Sequence, residues 1–171
     1  MPESDLCELA MKRPDYKKSR QEAAKLLKRN GIRSLPVDPE AIAEREGIDV
    51  VYVDFNESAS KLISGLYDFS TQKIYVNKSL PSNRKTFTIA HELAHAILHQ
   101  EYAASTEYRA MPRTNVHINK PAEEKEADVF AACLLVPPNT LKKYKDVASI
   151  DELASMYAVS RDVVVNQMDY I

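Results

Sequence analysis

Cysteine is scarce in this chain: there are two, Cys7 and Cys133, far apart and in no metal-like spacing. That excludes a disulfide scaffold as the basis of the fold and suits a reducing compartment. Cys133 falls inside the apolar run Phe130 to Val136, which predicts a buried, inert thiol, whereas Cys7 sits in a polar stretch and is expected to be exposed. A secretory leader is missing as well, because Met1-Pro2-Glu3-Ser4-Asp5 is acidic and has no apolar core. No apolar run approaches the length of a membrane span. Both absences point to the cytoplasm. An excess of one charge is also lacking: 23 Lys and Arg oppose 25 Asp and Glu, a formal net charge of −2. The totals therefore argue for neither nucleic acid nor an anionic membrane as a partner. What remains is ordinary, with 171 residues, 44% hydrophobic and 28% charged, enough to bury a core of its own.

Residues 1–18 are polar, with mixed charges around Pro14. A helix is predicted from Ser19, where Ser19 and Glu22 form a capping box, and it ends at Gly31. A second starts at Asp38 with Pro39 in its first position and stops at Gly47, and Leu35-Pro36-Val37 is an extended connector. Ile48 to Phe55 reads as a strand, and Gly65 to Phe69 with Lys73 to Asn77 reads as a hairpin. Pro81 and Ser82 open a helix through about His99 that is apolar nearly all round, hence buried. Residues 100–119 show no periodicity and are expected to be a long functional loop. Asn119 and Pro121 start the next helix, which ends at Pro137-Pro138. Short helices follow, with N-caps at Ser149 and Ser160.

The chemistry concentrates in His91-Glu92-Leu93-Ala94-His95. Histidines four apart on a helix share one face, so two neutral ring nitrogens are able to grip one zinc ion. Glu92 between them is placed to act as a general base, the zincin arrangement. The plain alternative, buried histidines satisfied within a core, must also explain an unpaired carboxylate in an apolar helix, which is costly. Two histidines leave a catalytic zinc one protein ligand short. Leu98 and Glu101 stand where the metzincin pattern requires Gly and His, so the third ligand comes from further on.

The stretch Glu123-Glu124-Lys125-Glu126-Ala127-Asp128 supplies the candidates. Glu124 and Asp128 share a helix face, so one is suited to hold zinc and the other to accept the free N–H of a ligand histidine. Glu126 and Glu123 are rivals for the ligand role, although acids in a first helical turn also serve the helix dipole. His99 reads as a helix-end histidine with a position at the metal rim as the alternative. His117, Tyr108 and Tyr102 are loop residues that could contact substrate or an oxyanion. Residues 11–33 hold nine Lys and Arg against Asp15 and Glu22 and are read as a solvated helix face. The tail has a helix-turn-helix rhythm, but Lys145 to Ile171 carries two basic residues against five acidic ones. That balance disfavours a DNA reader, which needs positive charge to meet phosphates.

Together, Ile89 to His99, Glu124 to Asp128 and Phe130 to Pro137 resemble the ImmA/IrrE family of metallopeptidases. The resemblance covers about residues 19–165. It implies zinc ligands His91, His95 and Glu124 with Glu92 as base. It departs at Asp128, where Asn is usual, and at Val136, where Met is common. It further implies a protein substrate, a helix-turn-helix repressor of the Xre type in a stress or mobile-element switch; the expected cofactor is one Zn2+ per chain, although ligands of this type also accept Mn2+ or iron. Direct nucleic-acid binding and membrane binding are not expected. The competing expectation is a non-proteolytic antirepressor that keeps a zincin fold and only binds its partner. The expected fold is α+β and zincin-like, mainly helical, with a small three-stranded sheet packed on the His91–His95 helix. Residues 1–18 form a polar extension, 19–144 the metallopeptidase domain, and 145–171 a C-terminal helical segment packed on it.

Overall fold

The computed structural model describes residues 12–56, 58, 63–110 and 120–171. The first helix, α1, spans Tyr16–Arg29 and is capped by Asp15, whose side chain accepts from the Lys18 N–H. The helix thus begins ahead of Ser19. Asp15 is an equally good cap one turn earlier, and with the helix starting there Ser19 lies on the buried face with Ala23 and Leu26. The Ser19 hydroxyl donates to the Asp15 carbonyl at 3.1 Å. Helix α2, Pro39–Arg45, follows the predicted signals, with Asp38 accepting from the N–H groups of Glu40 and Ala41. Residues 34–36 bend instead of running extended, and the Leu35–Pro36 peptide bond is cis.

Three strands form one sheet, β1 (Asp49–Val53), β2 (Gly65–Asp68) and β3 (Lys73–Asn77), in the order β1-β3-β2. β3 pairs parallel with β1 and antiparallel with β2. The hairpin turn is held by Asp68, whose carboxylate accepts from the Ser70 N–H and from the hydroxyls of Ser70 and Thr71. Buried Ile74 and Val76 alternate along β3 and face the core. The sheet packs on α3, Ser82–Leu98, whose buried residues Ile89, Ala90, Leu93, Ala94 and Ala96 fill the space beneath it. At Gly65 the two approach so closely that a Cβ built there would lie 2.4 Å from Thr88 Cγ2.

The stretch after α3 is not simply a loop. It contains α4 (Gln100–Ala103) and α5 (Thr106–Ala110), each too short to show a helical period in sequence. Helix α6, Ala122–Leu135, packs against both α3 and α1. The chain then forms α7 (Pro138–Tyr144), α8 (Ile150–Tyr157) and α9 (Arg161–Tyr170). Ser149 and Glu152 make the predicted capping box, and Ser160 caps α9 by accepting from Val163 N. Buried Leu153, Tyr157 and Val164 belong to the same core as α6. Gln167 of α9 donates to the Val136 carbonyl at 3.0 Å and approaches the buried thiol of Cys133. Cys7 lies outside the described residues. No helix among the described residues is long and apolar enough to cross a membrane.

Candidate metal centre

Helix α3 presents His91 and His95 one turn apart and His99 follows as its C-cap, and all three rings lie on the side that meets α6. Helix α6 answers with carboxylates. Donor atoms of His91, His95 and Glu124 all lie within 4.8 Å of one another. His91 Nε2 is 3.2 Å from His95 Nε2 and 3.1 Å from Glu124 Oε2, and His95 Nε2 is 3.3 Å from Glu124 Oε1. Ligand atoms about 2.0–2.2 Å from a tetrahedral ion stand roughly 3.3 Å apart. The spacing of this trio therefore fits a single divalent cation. The donor set fits as well, because two imidazoles and a carboxylate are typical zinc ligands.

Behind each histidine the other ring nitrogen is engaged. His91 Nδ1 donates to Asp128 Oδ1 at 2.9 Å, and Lys120 donates to Asp128 Oδ2 at 2.8 Å. His95 Nδ1 lies 3.2 Å from His99 Nδ1, and His99 Nε2 donates to Glu126 Oε2 at 2.7 Å. The other oxygen of Glu126 accepts the backbone N–H of Asp15 at 2.7 Å. Glu123 turns away to Lys12, which donates to it at 2.6 Å. Of the three acids that sequence left in competition, the fold brings Glu124 to the histidine pair and directs Glu123 and Glu126 toward the start of α1. His99, read from sequence as a helix-end or rim histidine, is instead buried behind His95. A third histidine four residues past His95 was the available signal for this, and it needed Glu126 as its partner to be interpreted.

The electrostatics draw positive charge inward. Burial opposes a charged His91, yet Asp128 and Glu124 outweigh it and lift its pKa to about 10. Burial alone would raise Glu124, but His91 and His95 hold its carboxyl far below the ordinary range. Asp128 is likewise raised by burial and brought down further by His91 and Lys120. His99 differs: burial holds it below the ordinary imidazole range even with Glu126 beside it.

Glu92 is buried on the neighbouring face of α3. Its Oε2 accepts from the backbone N–H of Tyr67 on β2 at 3.0 Å and from the Tyr108 hydroxyl at 2.6 Å. Tyr102 of α4 donates to Glu124 Oε1 at 3.1 Å. The segment read as a loop thus delivers two tyrosine hydroxyls to the two carboxylates of the centre. His117 lies outside the described residues. The Tyr67 backbone contact had no signal in sequence, since it depends on how close the sheet comes to α3.

The sequence matches the family model Peptidase_M78, described as the IrrE N-terminal-like domain, over residues 43–169. It is 34% identical over 98 residues to an uncharacterized immunity region protein, number 2, of Bacillus phage phi105, a match spanning 57% of this chain and 59% of that protein. A solved Mycobacterium tuberculosis transcriptional regulator superposes with a TM-score of 0.59 at 22% identity, covering 88% of this chain and 55% of that one. At that identity the likeness speaks to the fold alone. The chain spans less than two thirds of the length of both relatives. The match over residues 43–169 takes in the whole His91–Asp128 centre, and the chain belongs to the Peptidase_M78 family of IrrE N-terminal-like domains.

Proposed function

We propose that this chain is a zinc-dependent endopeptidase whose substrate is a helix-turn-helix repressor of the Xre type, cut as part of a regulatory switch. The observation that carries the reading is the trio His91, His95 and Glu124, spaced 3.1 to 3.3 Å apart with Glu92 beside it. Family membership supports the peptidase chemistry, and the phage immunity-region relative supports a setting in which a repressor is the target.

His91, His95 and Glu124 would hold the ion, with Asp128 and His99 orienting the two rings. A divalent cation there supplies Lewis acidity, making water acidic at neutral pH and polarising a peptide carbonyl. Glu92 takes the proton of the attacking water and returns it to the leaving amine. Both donors to Glu92 fall on Oε2, so Oε1 is the atom that takes the proton. Tyr108, read from sequence as a substrate or oxyanion contact, serves in this scheme to hold the base still.

Co-expression with a helix-turn-helix repressor of the Xre type tests the proposal. Two repressor fragments are expected with the native chain. With Glu92→Gln the repressor stays whole, while elemental analysis finds the same zinc content. An intact, stable complex with the native chain would overturn the peptidase reading in favour of an antirepressor that binds without cutting.

A further inference from the structure

We propose that Glu126 and His99 are positioning residues that set the proton arrangement of His95, so that its Nε2 is free to hold the metal. The inference rests on the metal-centre reading above. It starts from counting protons. A neutral imidazole carries one N–H, so only one ring nitrogen is left as a ligand. His95 has no solvent exposure, and its Nδ1 faces His99 Nδ1 at 3.2 Å. One of those two nitrogens must donate and the other accept.

The far end of the chain decides which. Glu126 Oε2 stands 2.7 Å from His99 Nε2, and a carboxylate only accepts, so the His99 proton sits on Nε2. His99 Nδ1 is then the acceptor and His95 Nδ1 the donor. The lone pair of His95 is left on Nε2, facing His91 and Glu124. Glu126 is itself fixed, because its Oε1 accepts the Asp15 N–H at the cap of α1. Three buried side chains thus pass one instruction from the start of α1 to the metal centre.

The isosteric change Glu126→Gln separates this role from packing. The Asp15 N–H would claim the amide oxygen, turning the amide NH2 toward His99 Nε2. That nitrogen becomes an acceptor, His99 donates from Nδ1, and His95 is driven to carry its proton on Nε2. Zinc affinity, measured by competition with a chromophoric chelator, is expected to fall about 10- to 100-fold. Urea unfolding of the metal-free protein should show Glu126→Gln still folded. Affinity within twofold of the native chain would overturn the proposal, since a packing role predicts no change for a side chain of the same shape. Should Glu126→Gln fail to fold, His99→Leu, which deletes the acceptor facing His95, is read in the same assay by the same criterion. If the native chain binds no zinc, the metal-centre reading itself fails. If it binds and Glu126→Gln binds equally, only this inference does.

Discussion

Gly65→Ala is the sharpest probe of how the sheet meets α3. The added Cβ would lie 2.4 Å from Thr88 Cγ2 and 3.0 Å from the Tyr75 carbonyl oxygen, where ordinary contact begins near 3.4 Å. Thr88 is buried on α3, and a β-branched side chain in a helix has little freedom to rotate away. The strand must therefore lift by about 1 Å. Overpacking of this kind costs about 1–3 kcal/mol. Replacing glycine also stiffens the unfolded chain, which offsets about 0.4–1 kcal/mol. A net loss of roughly 1–2 kcal/mol is expected, read as a lower urea midpoint with an unchanged slope. Lifting β2 also draws the Tyr67 N–H away from Glu92, so peptide cleavage should drop while zinc binding, made by other side chains, holds. Thr88→Ser removes the offending methyl and should recover most of the stability in the double variant. A Gly65→Ala protein as stable as the native one, or no recovery with Thr88→Ser, would refute this account of the close approach.

Three other outcomes follow from the same geometry. Tyr108→Phe leaves the buried Glu92 carboxylate one donor short, and stability of the metal-free protein should fall by about 1–3 kcal/mol in urea unfolding. Removing the metal with a chelator should lower the thermal midpoint, because an ion held at a thousand times its dissociation constant adds about 4 kcal/mol; an unmoved midpoint would argue against a bound cation. Leu153→Ala should cost about 2–5 kcal/mol in a single transition if α8 shares one core with α6, whereas a separate early transition would make the C-terminal segment a unit of its own.

The local part of the centre was legible in sequence because helical spacing is local. His91 and His95 are one turn apart, and so are Glu124 and Asp128, which is enough to place each pair on a face. Which face of α6 meets α3 was not legible. That depends on α1 packing along α6, which draws Glu123 to Lys12 and Glu126 to the Asp15 N–H and leaves Glu124 for the histidines. The same gap explains the start of α1, where Ser19 looked like a cap until packing required its place inside. The hairpin, the helix caps at Asp38, Ser149 and Ser160, and the three-stranded sheet followed their signals, since turn and cap chemistry acts over a few residues. Helices α4 and α5 escaped because four or five residues carry no period.

Those two short helices have a consequence for both acids. Tyr102 donates to Glu124, the proposed metal ligand, and Tyr108 to Glu92, the proposed base. Both ride on one stretch of ten or so residues, Gln100–Ala110. Any change that displaces this short piece of backbone therefore takes one hydroxyl donor from Glu92 and one from Glu124 together, which ties the two acids to a single mechanical support.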